Sequence, residues 1–244
     1  MTIHFSRPSP HVALIELDRP PANTLGAAMR RRLTAGLDAI EDDLDVRVVV
    51  LTGRGRQFCA GNDLRELADR APDDLSPIDD FNVLVDRVEG LRPPTIAAVG
   101  GGALGGGLDL ALACDIRLAA EGATFTASGV NVGLMASAGR LPGLIGLGPA
   151  KAMLLTGLPV DAPTALRTGL VTAVHPAGAL LDEAMALAGR IAARAPLAVE
   201  AAKRLAGRPG EEARATLTAL AASADHREAV TAFLEKRTPA FSRR

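Results

Sequence analysis

Two glycine-bearing turns and one carboxylate hold the chemistry that this sequence can do. The run Thr95 to Cys114, T-I-A-A-V-G-G-G-A-L-G-G-G-L-D-L-A-L-A-C, goes from a β-branched apolar segment through Gly100-Gly101-Gly102 and Gly105-Gly106-Gly107 into a Leu/Ala-rich segment. The only charge in it is Asp109. That order reads as strand, turn, helix. Glycine lets a ligand approach the main chain closely, and the first turn of a helix leaves N–H donors unpaired. The stretch is therefore built to hold negative charge. Residues 46–64 repeat the device: an apolar strand at 46–52 feeds G-R-G-R-Q-F-C-A-G-N-D-L, with Asn62 or Asp63 placed to cap a helix from about Leu64.

Two chemistries compete for these glycines. Gly100-x-Gly102-x-x-Gly105, with Glu121 ending the next strand, has the form of a dinucleotide-binding fingerprint. Against it, the helix between Gly106 and Ala113 is short for a crossover unit, and the matching turn at 53–62 is left without a role. The other reading uses both turns: two strand–turn–helix junctions whose N–H groups converge on one oxygen make an oxyanion hole.

The elements that must position these turns follow from periodicity. His11 to Leu17 alternates as a strand and stops at Asp18-Arg19-Pro20-Pro21. Met29, Leu33, Leu37 and Ile40 recur at helical spacing, with Arg30-Arg31-Arg32 expected on the solvated face. Residues 69–80, rich in Asp and Pro, read as a mobile excursion, and Phe81 to Leu91 as a helix. Short strands are expected at 115–120 and 123–126, then a glycine-punctuated loop through Gly148, a helix from Pro149 to Gly157 and a strand at 169–175. From Leu181 three Ala-rich helical segments run to the C-terminus, with breaks at Pro196 and at 207–210.

Composition narrows the class. The 244 residues carry a net charge of −1 with both signs scattered, which argues against nucleic acid or a membrane as the main partner. With 48% hydrophobic residues and no Trp or Tyr, packing must rely on small aliphatic side chains. The N-terminus M-T-I-H-F-S-R-P lacks the pattern of a signal peptide, so a cytoplasmic protein is expected. Cys59 and Cys114 have no metal or disulfide spacing and read as small buried residues. His4, His11, His175 and His226 fall at no catalytic position.

The motifs as a set are more specific than any one of them. Phe58-Cys59-Ala60-Gly61-Asn62-Asp63-Leu64 with Ala103-Leu104-Gly105-Gly106-Gly107-Leu108-Asp109-Leu110 resembles the paired signature of the crotonase family, the enoyl-CoA hydratases and isomerases. Leu155-Thr156-Gly157, Ala162, Ala165, Gly169-Leu170-Val171 and Phe233-Leu234-Glu235-Lys236-Arg237 continue the resemblance over nearly the whole chain. It implies an α/β fold, the crotonase (ClpP-like) spiral of repeated ββα units with two nearly perpendicular sheets and a C-terminal α-helical trimerisation region. Residues 1–180 would be the spiral core, and 181–244 the helical oligomerisation region of a homotrimer or dimer of trimers.

The resemblance also implies roles. The substrate would be an acyl-CoA thioester, coenzyme A entering as part of it, with no permanently bound cofactor and no metal. The N–H groups of Asn62 and Gly106 would hold the thioester oxyanion, glycine at 106 leaving the approach open. Pro21, Ala22 and Ala60 would line the CoA channel, and Arg65 and Lys236 would reach CoA. Of the two glutamates that hydratases of the family use, the first falls at Asp109, one methylene shorter, and the second at Gly129, where there is no acid. Ser128, Asn131 and Ser137 are nearby polar side chains able to orient water. In the first turn of a helix the dipole would lower the Asp109 pKa. The expected activity is of the enoyl-CoA hydratase/isomerase type. Two alternatives stay open: a CoA-thioester-binding member without hydratase activity, or one catalysing another enolate reaction, decarboxylation or C–C hydrolysis.

Overall fold

Residues 48–51 and 96–99 show no alternation of apolar and polar side chains because their strands are covered on both faces. The computed structural model describes residues 2–71 and 73–244. The chain begins with β1 (Thr2–Ser9) and β2 (Val12–Asp18), an antiparallel hairpin turning at His11, followed by α1 (Ala27–Asp42). Next come β3 (Val48–Gly53), β4 (Gln57–Cys59), α2 (Leu64–Asp69) and α3 (Ser76–Glu89). The central repeat is β5 (Thr95–Val99), β6 (Gly102–Leu104) and α4 (Gly106–Ala113). The third is β7 (Ile116–Ala120), β8 (Thr124–Thr126) and a 3₁₀ turn at Ser128–Val132.

Each repeat lays one strand in a large sheet and the next in a small one. The large sheet runs β1-β2-β3-β5-β7 and the small one begins β4-β6-β8, with all neighbours from β2 and β4 onward parallel. This is the expected spiral of ββα units. The chain then forms α5 (Leu141–Ile145), α6 (Leu147–Thr156), β9 (Val160–Asp161), α7 (Ala162–Thr168) and β10 (Ala173–His175). β9 pairs antiparallel with β8, and β10 parallel with β7, closing the two sheets at six and four strands. The C-terminal part is α8 (Leu180–Ala192), α9 (Pro196–Leu205), α10 (Glu211–Ala221) and α11 (Ala224–Glu235).

The pleat of the large sheet sorts its side chains into two cores. Val49, Leu51, Ala97 and Val99 join α1, α3 and α4 through Leu33, Leu37, Leu84 and Leu108. Val48, Val50, Ile96 and Ala98 point the other way, onto Leu180, Ala184, Ala188 and Ala192 of α8. Alanines four residues apart give α8 a flat stripe that lies against the sheet. No helix of the described residues is long and apolar enough to cross a membrane.

Several sequence expectations need correction. The pattern of residues does not announce the N-terminal strand β1, because Ser6, Arg7 and Pro8 interrupt it and half of the strand is exposed. The stretch 69–80 includes the first residues of α3, which starts at Ser76; Pro72 within it lies outside the described residues. The glycine-punctuated loop holds α5, and α6 begins at Leu147. The C-terminal segments number four, since a turn at Ala222–Ser223 separates α10 from α11. Arg30 does not belong to the solvated face: it is 4% exposed, donates to Leu25 O at 3.0 Å and pairs with Glu66 at 2.7 Å.

Leu33 is fully buried between α1 and the sheet, so Leu33→Ala should lower the unfolding free energy by about 3 kcal/mol in urea titration. Leu44 is 56% exposed, and its alanine variant should stay within about 0.5 kcal/mol of the parent.

Candidate active site

Adjacent parallel strands end on the same side of a sheet, and that places the two glycine turns together. β4 and β6 are neighbours, with Cys59 opposite Ala103. The chain leaves β4 through Ala60, Gly61 and Asn62 to Asp63, whose carboxylate caps α2 by accepting from Arg65 N at 3.0 Å. It leaves β6 through Gly105, at φ +51°, into Gly106 and α4. The turns meet main chain to main chain. A Cβ on Gly61, itself at φ +82°, would stand 2.7 Å from Gly106 N. One on Gly107 would stand 1.9 Å from the Cys59 carbonyl oxygen. Neither the Asn62 N–H nor the Gly106 N–H has a hydrogen-bond acceptor among the described residues.

Glycine at 106 has a packing reason that sequence reasoning missed. Its Cβ would fall 2.6 Å from the Phe81 ring of α3, which is 3% exposed and seated on the turn. The first turn is held from behind by Asn23, 1% exposed and in the left-handed region at φ +52°. Its amide donates to Gln57 O at 2.7 Å and to Arg54 O at 3.0 Å, and its Oδ1 accepts from Arg19 N at 2.8 Å. Arg19 reaches across to the Asp63 carboxylate and, with its own hydrogen bond foremost, holds that carboxyl below its usual range. An asparagine two residues beyond a Pro-Pro pair was the available signal. Cys59 and Cys114 are both buried, and burial pushes each thiol up to about 12.

The remaining expected site residues divide by location. Ala60 donates its N–H to Ala22 O at 3.0 Å, which joins the Pro21–Ala22 turn to the first glycine turn. Arg65 is exposed in the first turn of α2. Lys236 is the left-handed C-cap of α11, exposed, and no hydrogen bond or ion pair ties it to the turns among the described residues. The Asn131 amide donates to Gly157 O at 3.4 Å. Ser128 Oγ lies 3.0 Å from where a Cβ on Gly105 would stand.

Asp109 sits in α4 with its N–H donating to Gly105 O at 3.2 Å. Its carboxyl is held above the ordinary value, not below it, because burial outweighs every group that favours the charge. The opposing groups are Ser137, by its hydroxyl and N–H, and the Arg140 guanidinium. Arg140 is fastened to α3 by Glu89 at 2.7 Å and Asp86 at 2.5 Å. The helix dipole therefore does not decide the Asp109 pKa. At Gly129 the main chain has closed the space: a Cβ there would lie 2.7 Å from Ala136 N and 2.9 Å from Leu134 O.

A cleft of about 770 Å³ lies away from both turns, where α9 and α10 meet the ends of α1 and α3. Ion pairs of Arg92 with Glu200 and Lys203 with Asp115, at 2.7 and 2.9 Å, line it.

Comparison with known proteins finds similar chains over nearly the whole length. A family model described as Enoyl-CoA hydratase/isomerase matches residues 8–244. The chain is 39% identical over 246 residues to the 2,3-dehydroadipyl-CoA hydratase of Escherichia coli K12, covering 96% of each. It is 35% identical to the short-chain-enoyl-CoA hydratase of Clostridium acetobutylicum, covering 93% of this chain and 92% of that one. Among solved structures, the enoyl-CoA hydratase of Bacillus anthracis superposes with a TM-score of 0.95 at 35% identity, covering 100% of both chains.

Two outcomes follow from the geometry. Gly107→Ala should lose roughly 3 kcal/mol of stability, because a carbonyl oxygen of the neighbouring strand occupies the Cβ position, whereas Gly122→Ala, in open space, should stay within about 0.5 kcal/mol. A carboxyl raised on folding adds stability below its unfolded pKa, and that stability is lost as pH rises through the folded value. Asp109→Asn should thus be stabilised relative to the parent near neutral pH, and the difference should vanish in acid, read by thermal melts across the pH range.

Proposed function

The chain belongs to the enoyl-CoA hydratase/isomerase family, and from that premise we propose that it hydrates a 2-enoyl-CoA thioester through a thioester enolate. The observation that carries this reading is the main-chain contact of the two glycine turns, with Asp109 in the first turn of the helix that leaves the second. The N–H groups of Asn62 and Gly106 receive the thioester oxygen, with the N-terminal end of α4 directed at the same charge. One such donor contributes roughly 3 kcal/mol to the transition state.

Asp109 is the acid–base group. It takes a proton from water as the water oxygen bonds to the β-carbon and the double-bond electrons move onto the thioester oxygen. The enolate then collapses, and the same carboxyl returns that proton to the α-carbon. A single acid closes the proton balance, so hydration does not require an acid at Gly129. A double-bond shift uses the same carboxyl, removing a proton at the γ-carbon and returning it at the α-carbon. A carboxyl with a raised pKa suits both directions better than an ordinary aspartate, since its proton affinity lies closer to neutral pH.

Pro21, Ala22 and Ala60 line the CoA channel, a role that the Ala60–Ala22 hydrogen bond at the first turn supports. Arg65, exposed beside that turn, meets the CoA nucleotide. Lys236 reaches CoA from a neighbouring subunit in a homotrimer or dimer of trimers, with 181–244 as the oligomerisation region. The exposure of Phe233 at 82% and Leu234 at 73% beside Lys236 supports such packing. A second reading, in which the enolate arises by loss of CO₂ or by C–C hydrolysis, likewise places no acid at Gly129, in keeping with the closure of that position.

Incubation with a panel of 2-enoyl-CoA thioesters should consume the conjugated thioester and give a product heavier by one water. Asp109→Asn should lower kcat by at least about a hundredfold. Acyl-CoA binding without turnover would leave a binding protein, and turnover confined to malonyl- or β-keto-type thioesters would establish the second reading.

A further inference from the structure

Ser137 is a buried polar residue of this region that the reaction above does not use. The hydroxyl is unusual on three counts. The residue is 5% exposed, and its buried Oγ lies against the Asp109 carboxyl without closing a hydrogen bond of good geometry to any described residue, a costly state for a hydroxyl. Its backbone lies in the left-handed region at φ +65°, where serine is uncommon. Its neighbours hold it there: Ser137 O accepts from Leu141 N at 3.0 Å, and Arg140, three residues on, is fastened to α3 by Asp86 and Glu89.

The same segment closes the Gly129 position. Leu134 N donates to Gly129 O at 2.9 Å, and residues 134–136 lie where a side chain on Gly129 would have to stand. Having filled that space with main chain, the segment delivers Ser137 to the carboxyl of Asp109. A hydroxyl offers one donor and two acceptor lone pairs.

We propose, on the reading of Asp109 as the acid–base group, that Ser137 is its positioning residue: the hydroxyl donates to the Asp109 carboxylate, and its lone pairs accept from the water that Asp109 deprotonates. Ser137 thereby supplies the second polar contact of the site in place of a side chain at 129. It keeps its own proton throughout, and the proton in transit passes from water to Asp109 to the α-carbon. The charged group that reaches Asp109 is Arg140, with Asp86 and Glu89 of α3 behind it. All three remain in the variants that test the proposal.

The test compares the full-length protein with Ser137→Ala and Ser137→Gly. Carbon-13 NMR of labelled aspartates, with the Asp109 signal assigned by its loss in Asp109→Asn, should show the Asp109 titration midpoint rising in both variants. On 2-enoyl-CoA, kcat should fall roughly tenfold to a hundredfold with KM unchanged, and the acid limb of the kcat profile should move to higher pH. Ser137→Gly, freed of left-handed strain, should melt no lower than the parent and still show these losses, which separates the hydroxyl from the backbone. An unmoved midpoint, or an active variant with unchanged kcat, overturns the proposal. If the parent hydrates no 2-enoyl-CoA, the proposed function fails and the midpoint alone decides the Ser137–Asp109 contact.

Discussion

The contact between Gly61 and Gly106 is the constraint that the rest of the structure serves. Two main chains can pass this closely only where neither carries a Cβ, and the distances leave no room for one at 61, 106 or 107. The small sheet makes the contact possible, since neighbouring parallel strands β4 and β6 release their turns on the same edge. The large sheet and its helices hold that edge still. Phe81 of α3 closes the second turn from outside, and Asn23 ties the first to the loop after β2. The contact fixes where the first N–H groups of α4 stand relative to the first turn.

Electrostatics around Asp109 show how burial can override a local rule. A carboxylate in the first turn of a helix is ordinarily stabilised by the N-terminal partial charges. Here desolvation dominates, and Arg140 is too engaged with Asp86 and Glu89 to offset it fully. The result is an acid poised nearer neutral pH, on the same short helix whose first N–H groups face the neighbouring turn. The first N–H groups of α4 and the Asp109 carboxyl thus lie on one element, while the proton affinity of that carboxyl is set by its burial.

The core matches the composition from which it is built. Without Trp or Tyr, the second face of the large sheet is covered by alanines on α8, and the helix approaches closely because its stripe is small. Arg30 shows the cost of reading charge from spacing alone. Its guanidinium is carried inside by α1 and finds Glu66 on α2, so that one ion pair fastens the first helix to the one following the first glycine turn.

The sequence by itself determined the order of strand, turn and helix at both glycine sites, because glycine spacing, β-branched runs and capping residues act within a few residues of one another. It also located Asn62 and Gly106 at those turns and Asp109 in the helix that follows, and α4 runs from Gly106 to Ala113 as read. Only the tertiary structure decided what depends on distant segments meeting. The direction of the Asp109 pKa depends on burial by residues far along the chain. The absence of a side chain at 129 reads in sequence as a missing acid, yet in the fold it is a space filled by residues 134–136. Ser137, one of several hydroxyls in a glycine-rich loop, is singled out by the turn that carries it to Asp109. The physical reason is range: turn chemistry is local, whereas desolvation and packing are set by whatever the fold brings alongside.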